Sequence, residues 1–235
     1  MPFGKHGSML MQRYIKLSKD KTHDGALPPH AVKGEEVPAV LLAAGQSRRL
    51  GRPKALVEIA EKALILRSWE ELCSAGCAPV VVVVNNTLND DIVKLLPHAT
   101  LVINPRPEEG RTGSLQCGLR AIESMTGKRP QRVVMAPVDR PGWNANVVKR
   151  LLEHDGCVAP TSGGRPGHPV VMDSVAIETV LTSPPDASLR ELTTFMHVEV
   201  DAPWLGLNVD TTEDLAILAV EEAELRAYFE QGEGI

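Results

Sequence analysis

From residue 37 onward, short unbroken apolar runs alternate with stretches in which apolar residues recur every three or four positions. Unbroken runs of this length predict strands buried on both faces, and the wider spacing predicts helices with one apolar face. The runs cover 37–44, 80–84, 100–103, 133–136, 157–160, 170–172 and 198–200. Between them, Ile65, Trp69, Leu72 and Cys73 predict a helix that stops at Gly76. Further helices are expected over 88–96, 114–125, 145–153, 175–181 and 188–194, and a long one from Asp210 to Phe229 capped by Thr211 or Thr212. Strands alternating with helices predict βαβ units and a mostly parallel sheet with helices on both faces. The expected fold class is α/β, a single-domain three-layer α/β/α arrangement over residues 37–231. Residues 1–36 are rich in Lys, His, Gly and Pro and read as a peripheral leader, with Pro28-Pro29 and Gly34 marking a linker.

Composition narrows this picture. The 235 residues are 43% hydrophobic but only 3% aromatic, so the core must be built from Val, Leu, Ile and Ala. A net charge of −5 argues against nucleic acid as a partner, because phosphate-backbone binders carry a basic face. Cys73, Cys77, Cys117 and Cys157 form no C-x-x-C pair and read as buried or half-buried free thiols of a reducing cytoplasm. No segment approaches the roughly 20 apolar residues of a membrane span. The first residues lack the apolar core of an export signal, so a cytoplasmic protein without membrane contact is expected.

Chemistry enters at the end of the first run. The strand stops at Gly45 and gives way to a loop with two glycines, a serine, three arginines and Lys54. Glycine lets backbone N–H groups approach anionic oxygens, and Arg and Lys supply charge and forked hydrogen bonds, so the loop suits a triphosphate. Neither the dinucleotide fingerprint nor a Walker A loop is present. A second candidate is Asp139, between Pro137 and Pro141 at the carboxyl end of a strand, where ligands of open α/β sheets gather. A triphosphate is neutralised by a hard cation held on carboxylates, and Asp139 can provide one. The glycine-rich segment Gly110-Arg111-Thr112-Gly113-Ser114 leads into a helix whose free N–H groups could meet ligand oxygens.

Leu42-Ala43-Ala44-Gly45-x-Ser47-x-Arg49-x-Gly51-x-x-Lys54 fills every position of the signature of nucleotidyltransferases built on a Rossmann-like sheet. With Asp139, the 104–119 segment, Gly164-Arg165-Pro166-Gly167-His168-Pro169 and Asn208-Val209-Asp210-Thr211, the chain over roughly 38–220 resembles the molybdenum-cofactor nucleotidyltransferases, especially those joining CMP to molybdopterin. The resemblance implies nucleotide contacts from Leu42, Ala43, Ala44, Gly45, Ser47, Gly51, Lys54, Gly110 and Ser114. It implies catalytic roles for Arg49, Lys54 and Asp139, and a Mg²⁺ site, with Mn²⁺ an alternative, on Asp139 and Asp210. Arg165, Gly167 and His168 would face the acceptor, and Asp214 would serve the helix start.

Guanylyl-transferring relatives tend to read Leu-Ala-Gly-Gly where this chain has Leu42-Ala43-Ala44-Gly45, so Ala44 leans toward CTP. One methyl group is a modest filter, worth about 1–3 kcal/mol. Arg140 departs from the Gln common in cytidylyl relatives and leaves the acceptor open. The expected partners are CTP, molybdopterin or a related phosphate acceptor, and a molybdoenzyme or its chaperone. Rival readings are guanylyl transfer, transfer to a sugar phosphate, a non-catalytic nucleotide or cofactor carrier, and an oxidoreductase on a related sheet.

Overall fold

The computed structural model describes residues 36–232, so the leader expected over 1–36 lies outside the described residues except for Glu36. Its sheet grows outward from β1 (Ala39–Leu42), every residue of which is buried. On one side β1 pairs in parallel with β4 (Val80–Val84), which pairs in parallel with β5 (Thr100–Ile103). On the other side it pairs in parallel with β6 (Arg132–Pro137), placing Leu42 opposite Pro137. Beyond β6 lies β9 (Val170–Asp173), antiparallel to both β6 and β7 (Val158–Ser162). β10 (Met196–Glu199) closes that edge, parallel to β7.

Alternate residues of a strand face opposite sides of a sheet, and β1 shows the consequence. Ala39 and Leu41 join one core with α1 (Leu64–Ser74), α4 (Ala145–Leu152) and α8 (Glu222–Gly232). Val40 and Leu42 join a second core with α3 (Arg111–Thr126) and α5 (Ser174–Thr182). This is the three-layer arrangement the pattern predicts. α3 comes close to the sheet at Gly118, where an added Cβ would lie 2.5 Å from Val40 Cγ1.

Side chains fix the helix starts. Asn144 caps α4 by accepting from Asn146 N and Val147 N, and buried Glu71 accepts from Ala145 N at 2.6 Å. Asp173 caps α5. Thr211 caps α7 (Thr212–Val220) in a capping box with Asp214, the structural role expected for that carboxylate.

Some elements differ from expectation. The long C-terminal helix is two, because Glu221 leaves the helical well at φ −93°, ψ 9°. The break separates the largely exposed α7 from α8, which buries Leu225, Tyr228 and Phe229. α3 begins at Arg111, three residues before the expected start. Between β1 and α1, β2 (Glu58–Ile59) and β3 (Lys62–Ala63) form a hairpin that the apolar pattern does not show. Its turn residues, Ala60 and Glu61, take φ of 50° and 63°, a conformation usually signalled by Asn-Gly. β7 is extended by a second hairpin to β8 (Arg165–Pro166).

Candidate active site

At the carboxyl end of β1 the chain enters the basic loop, and local hydrogen bonds fold it on itself. Ser47, at φ 51°, accepts on its carbonyl from Leu50 N and Gly51 N, at 3.1 and 3.2 Å. Its Oγ accepts from Lys54 N at 3.0 Å, which closes the loop and leaves the hydroxyl proton free to be donated. From the next strand, the buried Asn85 amide donates to the carbonyls of Ala44 (3.1 Å) and Gly45 (3.5 Å), while its Oδ1 accepts from Leu88 N. Asn85 thus pins the mouth of the loop from β4. The sequence shows it only as the polar end of an apolar run.

β6 ends one strand away and delivers Asp139, whose carbonyl accepts from Val209 N at 2.9 Å. That bond brings the segment after β10 back to the β6 exit and sets Asp210 beside Asp139. Asp214 Oδ2 accepts from Asp210 N and Thr211 N at 2.7 and 2.8 Å, holding the turn. The two carboxylates then meet at one cation. Lys54 Nζ pairs with Asp210 Oδ1 and lies 3.5 Å from Asp139 Oδ2. Arg49 reaches Asp210 Oδ2 at 2.5 Å, and Arg111, at the start of α3, lies 3.6 Å from Asp139 Oδ2. The hydrogen bond from Lys54, aided by the charges of Lys54 and Arg49, holds the Asp210 carboxyl below its ordinary range. Five residues from four parts of the chain are therefore one ionic cluster.

The cluster lines a cavity of about 590 Å³. Leu42, Ala43, Ala44, Gly45, Ser47, Arg49, Lys54, Gly110, Ser114, Asp139 and Asp210 all contribute to its lining, as does Arg140. Cations outnumber carboxylates along that wall, so the space favours an anionic ligand. Gly51, at φ 71°, supports the loop from behind and is not in the lining. Ala44 is only 2% exposed and joins the core on the α3 side of the sheet. Gly110 starts α3 at φ 109°. Ser114 is buried, donates from Oγ to Gly110 O and accepts from Asn104 Nδ2, so its hydroxyl braces the loop.

The expected acceptor residues are dispersed. Arg165 is exposed on the β7–β8 hairpin and lines neither this cavity nor its neighbour. Gly167 lies against Leu205. His168 is half-buried and lines an adjoining cavity of about 390 Å³ that shares Arg111 with the first. Burial, and then the charges of Arg111 and Arg140, push its imidazole down to about 4. Burial also raises Cys77 to about 12, so that thiol is not a nucleophile at neutral pH. Cys73 is exposed rather than buried.

No group of three or more His, Cys, Asp or Glu among the described residues is placed to hold a metal. Two converging carboxylates are nevertheless the donor set of a hard cation that takes its remaining ligands from water and phosphate oxygens. Asp139 and Asp210 fit such an ion. No helix among the described residues is long and apolar enough to cross a membrane.

Comparison with known proteins places this fold. The molybdenum cofactor cytidylyltransferase of Escherichia coli (strain K12) is 21% identical over 186 residues, spanning 76% of this chain and 93% of that protein. A nucleotidyl transferase from Methanothermobacter superposes with a TM-score of 0.66 at 19% identity, covering 83% of this chain and 100% of that one. A Mycobacterium tuberculosis H37Rv protein solved in complex with manganese gives 0.61 at 17%, covering 78% and 98%. These structures share the Rossmann-like nucleotidyltransferase fold. The model of the MobA-like NTP transferase domain matches residues 39–200, from the first residue of β1 to just past β10, and the chain belongs to that family.

Proposed function

We propose that this nucleotidyltransferase moves CMP from CTP to a phosphate-bearing acceptor, molybdopterin being the favoured one, and releases pyrophosphate. One observation carries the reading: Lys54 joins Asp139 and Asp210 in the lining of a basic cavity walled by the 42–49 loop. The opening-loop sequence and the likeness to the Escherichia coli molybdenum cofactor cytidylyltransferase favour CTP and molybdopterin.

In the proposed reaction an oxygen of the acceptor phosphate forms a bond to the α-phosphorus. The bond from that phosphorus to the α–β bridging oxygen breaks, and the electron pair leaves on pyrophosphate. A phosphate nucleophile needs no activating side chain, so catalysis falls to positioning and charge stabilisation. Lys54 and Arg49 exchange carboxylate partners for triphosphate oxygens and stabilise the departing pyrophosphate. Ser47 donates its free hydroxyl proton, and Gly45 contributes backbone contact. Asp139 and Asp210 would hold Mg²⁺ or Mn²⁺, which neutralises phosphate oxygens when bound.

The test is pyrophosphate release from CTP and from GTP with molybdopterin or a sugar phosphate as acceptor. Turnover with CTP and molybdopterin is expected, and Asp139→Ala should lower it by about 10²–10³-fold, the scale of losing one charge-stabilising group. Undiminished turnover in that variant contradicts the assignment, and turnover only with GTP or a sugar phosphate replaces the substrate pair.

A further inference from the structure

Asp139 and Asp210 arrive on different segments, and their spacing is set away from the carboxylates themselves. Asp139 opens the loop 139–144 between β6 and α4, and Asp210 ends the strap 200–210 that returns from β10. The bond from Val209 N to Asp139 O, at 2.9 Å, joins the two. Each segment is stiffened from within. In the loop, Arg140 N donates to Pro137 O at 3.2 Å, Trp143 N donates to Pro141 O at 2.9 Å, and buried Glu71 holds Ala145 N. In the strap, Val200 N extends the β10–β7 ladder to Thr161 O at 2.9 Å. Leu205 N then donates to Ala202 O at 3.0 Å, and Leu207 N to Trp204 O at 2.8 Å. Val200, Ala202, Leu205 and Val209 are buried.

Loop and strap press on each other at Gly142. A Cβ added there would fall far inside van der Waals contact with Trp204 O and C, and 3.1 Å from Leu207 Cβ. Gly142 does not take a positive φ, so space rather than backbone conformation calls for glycine. The obstructing atoms are backbone, and a carbonyl held by Leu207 N cannot swing aside as the end of a side chain can. Gly167, between β8 and β9, receives the next residue of the same turn, where an added Cβ would lie 2.9 Å from Leu205 Cδ1 and Cδ2. Gly206, inside the turn, has nothing within 4 Å of an added Cβ. Two glycines outside the strap are therefore pressed against its turn, while the glycine within it has room.

We infer that Gly142 is a positioning residue: its close approach to Trp204 sets the spacing of Asp139 and Asp210, and so matches the pair to a small divalent cation. The inference rests on the transferase reading for the cation itself. Non-bonded heavy atoms settle about 3.5–4.0 Å apart, so a single methyl group at 142 must part loop and strap by about 2 Å. Asp139 and Asp210 ride on these two segments, whose internal hydrogen bonds leave little slack to absorb the change. Mg²⁺ holds its oxygen ligands at about 2.0–2.1 Å in near-ideal octahedral geometry, whereas Ca²⁺ accepts about 2.3–2.6 Å and an irregular shell. A widened pair therefore loses Mg²⁺ first.

The test titrates the full chain with Mn²⁺, read by electron paramagnetic resonance, and with Mg²⁺ and Ca²⁺, read by displacement of Mn²⁺. Urea denaturation gives the folded fraction of each variant, and binding is expressed per folded molecule. Gly142→Ala is expected to weaken Mg²⁺ binding about tenfold, the lower end of what changes behind a metal ligand cost, and Ca²⁺ binding by less. Gly206→Ala should match the wild type. Unchanged Mg²⁺ binding in Gly142→Ala overturns the inference. So does an equal loss of Mg²⁺ and Ca²⁺, which a general loosening of the fold would give, or the same loss in Gly206→Ala. Gly167→Ala presses on the same turn through Leu205 and carries the test if Gly142→Ala does not fold; wild-type Mg²⁺ binding in it then overturns the inference. Asp139→Ala separates the two claims. If it loses the cation while Gly142→Ala keeps it, the positioning role falls and the transferase reading stands. If Asp139→Ala binds all three ions as the wild type does, the cation assignment in the transferase reading is what fails, and the spacing role falls with it.

Discussion

At the scale of single residues, the site depends on groups whose hydrogen-bonding capacity is only partly used. Ser47 accepts from Lys54 N yet keeps a proton to donate, whereas Ser114 has both its donor and an acceptor position engaged. That contrast suits Ser47 to the proposed ligand contact and Ser114 to bracing the loop. His168 yields a prediction of its own. Its imidazole is pushed down to about 4 from an ordinary 6.5, chiefly by burial. Between those values the unfolded chain binds a proton that the folded chain refuses. Stability from this residue is therefore complete above pH 6.5 and is lost as pH falls toward 4. Each unit is worth about 1.4 kcal/mol, which caps the loss at about 3 kcal/mol. Urea denaturation across this pH range should show a shallower decline in His168→Gln than in the wild type. Parallel declines would mean that His168 titrates as an exposed imidazole.

At the scale of elements, the close approach of α3 to β1 gives the next prediction. Alanine at 118 gains up to about 1 kcal/mol of helix propensity, but its Cβ would meet Val40 and Val83 at 2.5 and 3.1 Å. Overpacking of this kind costs about 1–3 kcal/mol, so Gly118→Ala should be less stable by about 1–2 kcal/mol in urea denaturation. An unchanged or raised stability would show that the sheet yields there. Much of this architecture was legible in the sequence, because strands buried on both faces write themselves as unbroken apolar runs. The 80–84 run matches the fully buried β4 residue for residue, and 100–103 matches β5, which is only half-buried and exposes Ile103. Strand direction leaves no such trace, so β9 gave no sign of running antiparallel. The β2–β3 turn was hidden for a different reason, since Ala60 and Glu61 are not turn residues by composition. In the site, Lys54, Asp139 and Asp210 stood out through their spacing within motifs. Asn85 and Arg111 did not, because they act across strands and no local pattern marks such a contact.

At the scale of the whole molecule, the fold brings the carboxyl ends of β1, β4 and β6 to one edge, and the return of the chain at Val209 adds Asp210 to it. An acidic protein thereby presents a locally basic cavity, and the second cavity adjoins it at Arg111. In the proposed reaction the Lys54 cluster holds a nucleoside triphosphate with a divalent cation. The most direct measurement is the melting temperature of the wild type and of Lys54→Ala with Mg²⁺ and CTP, GTP, ATP or UTP. A ligand at about 100 times its dissociation constant adds about 2.7 kcal/mol, or about 5–10 °C for a domain of this size. CTP should give the largest rise in the wild type, and Lys54→Ala should lose it. No rise with any of the four, or the same rise in both proteins, would contradict the account.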